Sequence, residues 1–188
     1  MGNPNEVPKI TWQEYLEGEQ DSEVKNEYRF GIVTAMVGGT FNHALIKSNI
    51  EATLRNLEGC VTVSSDVKVE TLKENIYYYP DVMVICGDKT GRDEYTVDNP
   101  FLIVEVLSKS TKDKDRGEKF EDYRRIASLK HYIVVSQWQY HLVHHERLEN
   151  GSWLLRDYSS YDDKFSIKGV VINLQEVYGG VKFWSELV

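Results

Sequence analysis

Seven consecutive residues, Phe101-Leu102-Ile103-Val104-Glu105-Val106-Leu107, make the most hydrophobic run in the chain, and they carry a glutamate in their middle. A short apolar run of this kind reads as a strand buried on both faces. An ionised carboxylate in such a strand is costly, so Glu105 has to be neutralised, paired or bound to a metal. Residues 77–86 pose the same problem, because Asp81 is the sole charge in Tyr77-Tyr78-Tyr79-Pro80-Asp81-Val82-Met83-Val84-Ile85-Cys86. Pro80 removes one backbone donor and is tolerated at a strand start. The polar loop 87–100, punctuated by Gly91 and Pro100, joins the two runs and predicts antiparallel neighbours, with Asp81 beside the later half of the Glu105 strand. Two carboxylates that close repel unless a cation or a shared proton lies between them. A hard divalent ion is the usual solution, Mg²⁺ with Mn²⁺ as a substitute. The competing solution pairs each acid with a Lys or Arg.

The rest of the chain frames these strands. Thr11-Trp12-Gln13-Glu14 has the spacing of a capping box and predicts a short first helix. Residues 27–30 and 32–37 read as a hairpin turning near Gly31, ended by Gly38-Gly39. Residues 41–57 have helical periodicity, and 61–69 alternate as one half-exposed strand. A second long helix is expected from Asp115, with Glu118 three residues on, to about Ala127. Residues 131–137 form a further strand, and 140–147, 153–158 and 165–172 read as an antiparallel meander. The fold class is therefore α+β: a core of helix, three strands, helix, strand, with an N-terminal hairpin and a C-terminal antiparallel meander added. The 188 residues suit a flexible N-terminus over 1–10 and a single domain over 11–188.

Composition narrows the setting. No stretch approaches a membrane span and none resembles a secretory leader, so a cytoplasmic protein with no membrane partner is expected. Cys60 and Cys86 sit in apolar, strand-like contexts and read as reduced core thiols. No motif points to a small organic cofactor. The net charge of −8 argues against a polyanion partner unless a cationic surface is gathered locally. Residues 109–130 offer one, with eight basic side chains against five acids.

Three segments together carry a family resemblance: Tyr79-Pro80-Asp81-Val82, the run from Asn99-Pro100 through Glu105 to Ser108-Lys109-Ser110-Thr111, and Asp115-Arg116-Gly117-Glu118-Lys119-Phe120-Glu121-Asp122-Tyr123-Arg124. They resemble the Uma family of restriction-endonuclease-like proteins, within the PD-(D/E)XK nuclease superfamily. The resemblance implies that fold and a Mg²⁺-dependent hydrolysis of DNA phosphodiester bonds. Asp81 and Glu105 would hold the metal, with the Val106 carbonyl as a further ligand and Glu27 as a third acid. This chain departs from the superfamily at the lysine expected two residues after the glutamate, where it has Leu107. Lys119, which shares a helix face with Tyr123, is the replacement candidate. Gln137 is a second candidate for touching the site, while His43 and Tyr123 are expected at its edge. His144-His145 reads as sheet surface. Cutting both strands of a duplex asks for two sites, so a homodimer is expected. The alternative is a catalytically inactive nuclease-fold module that binds nucleic acid or a protein partner.

Overall fold

The computed structural model describes residues 9–109, 114–115 and 117–183. Helix α1 (Trp12–Gln20) starts on the expected capping box: the Thr11 N–H donates to Glu14 Oε2 at 2.7 Å and the Glu14 N–H to Thr11 Oγ1 at 3.2 Å. Strands β1 (Asn26–Arg29) and β2 (Ile32–Ala35) form the early hairpin. Its two turn residues, Phe30 and Gly31, both have positive φ, as a tight hairpin turn demands. Helix α2 (Phe41–Leu54) follows, capped by Thr40, and buries Ile46, Ile50 and Leu54 along one stripe. Each such side chain stabilises the fold by roughly 1.5–3 kcal/mol. The remaining elements are β3 (Cys60–Val63), β4 (Lys68–Leu72), β5 (Ile76–Tyr78), β6 (Val82–Cys86), β7 (Thr96–Val97), β8 (Leu102–Val106), α3 (Glu118–Tyr123), β9 (His131–Val135), β10 (Leu142–Arg147), β11 (Trp153–Tyr158), β12 (Lys164–Ile167), β13 (Val170–Asn173) and α4 (Leu174–Val177).

A six-stranded sheet in the order β11-β10-β9-β8-β6-β3 forms the centre, with β8 and β9 parallel and the other pairs antiparallel. A second sheet, β2-β1-β5-β4-β7, lies against one of its faces with α3; α2, α4 and the β12–β13 hairpin cover the other. Strand alternation sorts the core. Val82, Val84, Leu102, Val104 and Val106 point to the α2 side, and Met83, Ile85, Ile103 and Leu107 to the α3 side. The same parity turns Glu105 toward α3.

Several expectations are corrected. The single strands expected over 61–69 and 77–86 are each split between the two sheets, at Ser64-Ser65-Asp66, where Ser65 has φ 49°, and at Tyr79-Pro80-Asp81. Residues 165–172 are not one strand of the meander but parts of two. Lys168 and Gly169, with φ of 47° and 84°, turn them into the separate β12–β13 hairpin. The helix expected to reach Ala127 ends at Tyr123, because Arg125 and Ile126 bond three residues back, to Asp122 and Tyr123, and tighten the chain into turns. Cys60 and Cys86 are joined as a disulfide, with Cα atoms 4.0 Å apart. The β3–β6 register sets them directly opposite one another, a proximity that the sequence spacing does not reveal.

His144, expected on the surface, is buried. It stacks on Phe165 at 4.8 Å and its Nε2 lies 3.0 Å from His131 Nδ1. Burial holds both imidazoles neutral, His131 down to about 4 and His144 down to about 3. The β12–β13 hairpin covers this face of β10, and the β10 pattern alone gives no sign of it. Among the described residues, no helix is long and apolar enough to cross a membrane.

Candidate active site

The break at Pro80 gives Asp81 its position. Ending β5 there and starting β6 at Val82 leaves Asp81 at the seam between the sheets, next in line to the Val82–Val104 pair. The antiparallel pairing of β6 with β8 sets it beside the end of β8. The Val106 N–H donates to Asp81 Oδ2 at 2.8 Å. His43, in the first turn of α2, brings Nε2 to 3.2 Å from the same oxygen. Gly39 makes that approach possible: a Cβ there would lie 2.9 Å from His43 Nδ1.

Glu105 is buried on the α3 side. Its Oε1 accepts from the Tyr123 hydroxyl at 2.8 Å and from Lys119 Nζ at 3.1 Å. Lys119 is almost wholly buried and serves three acids at once, with Glu27 Oε1 at 2.8 Å and Asp115 Oδ1 at 3.4 Å besides Glu105. Glu27 arrives from β1, its second oxygen 2.8 Å from Lys114 Nζ. Both lysines also lie over the Tyr78 ring, at 5.1 Å for Lys114 and 5.3 Å for Lys119. Asp81, Glu105, Glu27, His43, Lys114, Lys119 and Val106 line one cleft of about 270 Å³, whose outer wall is formed by Thr34, Ala35, Met36 and Val37.

Among the described residues, three carboxylates (Glu27, Asp81, Glu105) and two ammonium groups (Lys114, Lys119) line the cleft, and the Asp115 carboxylate lies 3.4 Å from Lys119 Nζ. Burial pushes the Glu105 carboxyl well above its ordinary range; Lys119 opposes the shift, and Asp115, Asp81 and Glu27 add to it. Burial alone would raise Glu27 too, but Lys119 and Lys114 override it and hold that group below its usual value. Lys119 stays charged: burial disfavours its ammonium, yet Glu105, Glu27 and Asp115 together raise its pKa well above that of a free lysine.

The residues singled out in the sequence are distributed as follows. Asp81, Glu105, Val106, Glu27, Lys119 and His43 share the cleft, and Tyr123 supports it from behind. Gln137 does not face the carboxylates. Its amide donates to the Leu107 carbonyl at 2.7 Å and accepts from the Thr40 hydroxyl. Leu107, where the superfamily lysine would stand, is buried among apolar side chains. Sequence reasoning missed Lys114, Tyr78, Arg29 and Asp122. The last three form a brace beneath α3, Arg29 Nε and the Tyr78 hydroxyl donating to Asp122 Oδ2 at 2.9 and 2.8 Å. Lys114 could have been picked from the basic run 109–130; the brace needs β1, β5 and α3 brought together first.

Known proteins share this arrangement of elements. The profile of the Uma2 family, described as "Putative restriction endonuclease", matches residues 12–175. The chain belongs to the Uma2 family. The match takes in every element from α1 into α4, including Asp81, the Glu105 strand and Lys119. Two relatives of this Uma2 chain come from Synechocystis sp. The uncharacterized protein slr1290 is 32% identical over 181 residues, covering 94% of this chain and 95% of its own length. The uncharacterized protein sll1609 is 33% identical over 156 residues, covering 79% of this chain and 86% of its own. A crystal structure of "a putative nuclease belonging to DUF820" from Anabaena variabilis superposes with a TM-score of 0.75 at 12% identity, over 92% of this chain and 99% of that one. The chain thus shares the fold of that "putative nuclease", as the resemblance implied.

Proposed function

We propose that this Uma2 protein is a metal-dependent endonuclease that hydrolyses DNA phosphodiester bonds, with Asp81 and Glu105 as its metal-holding acids and Lys119 in place of the missing lysine at position 107. The observation that carries the proposal is the buried lysine of a displaced motif: Lys119 Nζ lies 3.1 Å from Glu105 Oε1 although it stands 14 positions further along the chain. A leucine at 107 would otherwise leave the acids without the third member of the motif.

The residues present fit a hard divalent ion. Burial raises the Glu105 carboxyl, and Asp115, Asp81 and Glu27 add to the shift against Lys119; a cation beside it would oppose that rise. Among the described residues no group of three or more His, Cys, Asp and Glu side chains converges into a metal cage. Mg²⁺ does not require such a cage, since it is typically held by one or two carboxylates and completed by water and phosphate. Asp81, Glu105 and the Val106 carbonyl would hold it, and it would supply Lewis-acid activation of a water and neutralisation of charge on the phosphate.

The chain's own groups divide the remaining work. The Val106 N–H and His43 hold Asp81 through Oδ2, so Oδ1 would be its ligand atom. Tyr123 and Lys119 both engage Oε1 of Glu105, so Oε2 would be its ligand atom. A lysine whose pKa is raised is an orienting cation and not a base, so Lys119 positions Glu105 and steadies developing negative charge. Glu27, with both oxygens on lysines, acts as counter-ion to Lys119 more than as a metal ligand. Strand β11 is an open edge bearing exposed Leu154 and Leu155, and a homodimer through it would supply the second site.

The experiment is cleavage of supercoiled plasmid by the purified protein. Nicking in Mg²⁺ or Mn²⁺ that stops in chelator and disappears in Asp81→Asn is expected; equal cleavage by Asp81→Asn would sink the proposal. A second reading, an inert nuclease-fold module, draws on the buried Leu107 and on Lys119 already occupying Glu105. Failure of calorimetry to detect Mg²⁺ or Mn²⁺ binding at millimolar concentration would favour it.

A further inference from the structure

Beside the acidic cleft, on the other side of the α2 N-terminus, lies a larger one of about 760 Å³. In a chain with 30 acids and 22 lysines and arginines, the described residues of its lining include two lysines, Lys109 and Lys182, and no carboxylate. Its aromatic groups are Phe41, which is 79% exposed, Trp138, which is 40% exposed, and Phe183 at the floor, buried against Tyr140 at 4.9 Å. Large aromatics left this open beside exposed lysines stand out in a chain of net charge −8. The walls are tied down. Asn42 donates to the Lys182 carbonyl at 2.9 Å, and Gln137 joins Thr40 to the Leu107 carbonyl.

The two clefts are continuous along the chain. Lys109 stands four residues after Glu105, and Thr40 three before His43, whose imidazole touches Asp81. We propose that this aromatic and basic cleft binds unpaired DNA, a base stacking on Trp138 or Phe41 while Lys109 and Lys182 take the adjoining phosphates. The preferred substrate of the acidic cleft is then DNA with a single-stranded segment next to the scissile bond, an inference that rests on the nuclease reading. Flat aromatic faces beside cations bind single strands without regard to sequence, because every base has a face to stack. A paired base offers only its edge. The polar side chains of the lining, Asn42, Gln137 and Thr40, are already engaged with one another or with backbone, so the cleft has little with which to read base edges. That leaves stacking and charge as the recognising chemistry.

The test measures fluorescence anisotropy of labelled oligo-dT and of a blunt hairpin duplex of equal length, with the full chain in chelator so that nothing is cut. The single strand should bind at least tenfold more tightly than the duplex. Trp138→Ala should lose roughly tenfold in single-strand affinity, on the scale of one stacked base. Lys109→Ala combined with Lys182→Ala should flatten the log–log salt dependence by about 1.4, two phosphate contacts at roughly 0.7 each. All three positions are exposed, so unaltered thermal unfolding is expected and checks the fold. Equal binding by Trp138→Ala, preference for the duplex, or tighter binding of oligo-rU than oligo-dT would each overturn the proposal. The two readings fail separately: an intact Trp138 effect without cleavage removes the nuclease and leaves the cleft, whereas cleavage by a protein with no Trp138 effect does the reverse.

Discussion

Replacing Lys119 by methionine tests the electrostatics of the centre directly. The ammonium lies 2.8 Å from Glu27, 3.1 Å from Glu105 and 3.4 Å from Asp115, and all four side chains are buried. Methionine keeps the volume of the stem and removes the charge, leaving three buried carboxylates without the cation they share. Removing one partner of a buried ion pair costs about 3–5 kcal/mol. A chain of this size changes its Tm by roughly 2–4 °C per kcal/mol, so the loss should be about 6–20 °C near neutral pH. The sign of the pH dependence follows from the acids. Without Lys119 the Glu105 carboxyl, already raised by burial, rises further and Glu27 loses one of the two lysines that hold it down; a carboxyl with a raised folded pKa contributes stability at low pH that is lost as pH rises through that value. The deficit should therefore be largest above neutrality and shrink toward pH 5. Thermal unfolding by circular dichroism at pH 5 and pH 8 reads both effects. A loss under about 1 kcal/mol, or a deficit that grows as pH falls, would refute the reasoning.

Three other outcomes are expected. Glu105→Gln removes a carboxyl raised by burial and like-charge crowding, so metal-free protein should gain relative stability at pH 8 over wild type and lose its dependence on pH between the carboxylate range and neutrality; parallel pH–Tm curves would contradict this. Gly39→Ala pushes on the His43 ring, so plasmid nicking should fall severalfold while unfolding changes by less than about 1 kcal/mol. Replacing Cys60 and Cys86 together by serine opens a loop spanning 26 positions and should cost about 3 kcal/mol in urea unfolding.

The acids themselves were legible in the sequence because charge inside an apolar strand has few explanations. Their antiparallel approach followed from the length of the loop between them. Less legible was how Pro80 works: it does not open a long strand but divides one between two sheets, and Asp81 owes its exposure to that division. The helix start at Asp115–Glu118 pointed to Lys119, yet its three acidic partners come from β1, β8 and its own segment, so their meeting depends on tertiary packing. His144 and the Cys60–Cys86 bridge went unread for the same reason. Each depends on which face a neighbouring hairpin covers or on strand register, and neither leaves a mark in local periodicity.

Anomalous diffraction from crystals soaked in Mn²⁺ tests the central claim most directly. A single peak between Asp81 and Glu105, with Lys119 still at Glu105 Oε1, is the predicted result. No peak there at a saturating concentration, or one confined to other carboxylates, would contradict a metal-dependent nuclease centre at these two acids.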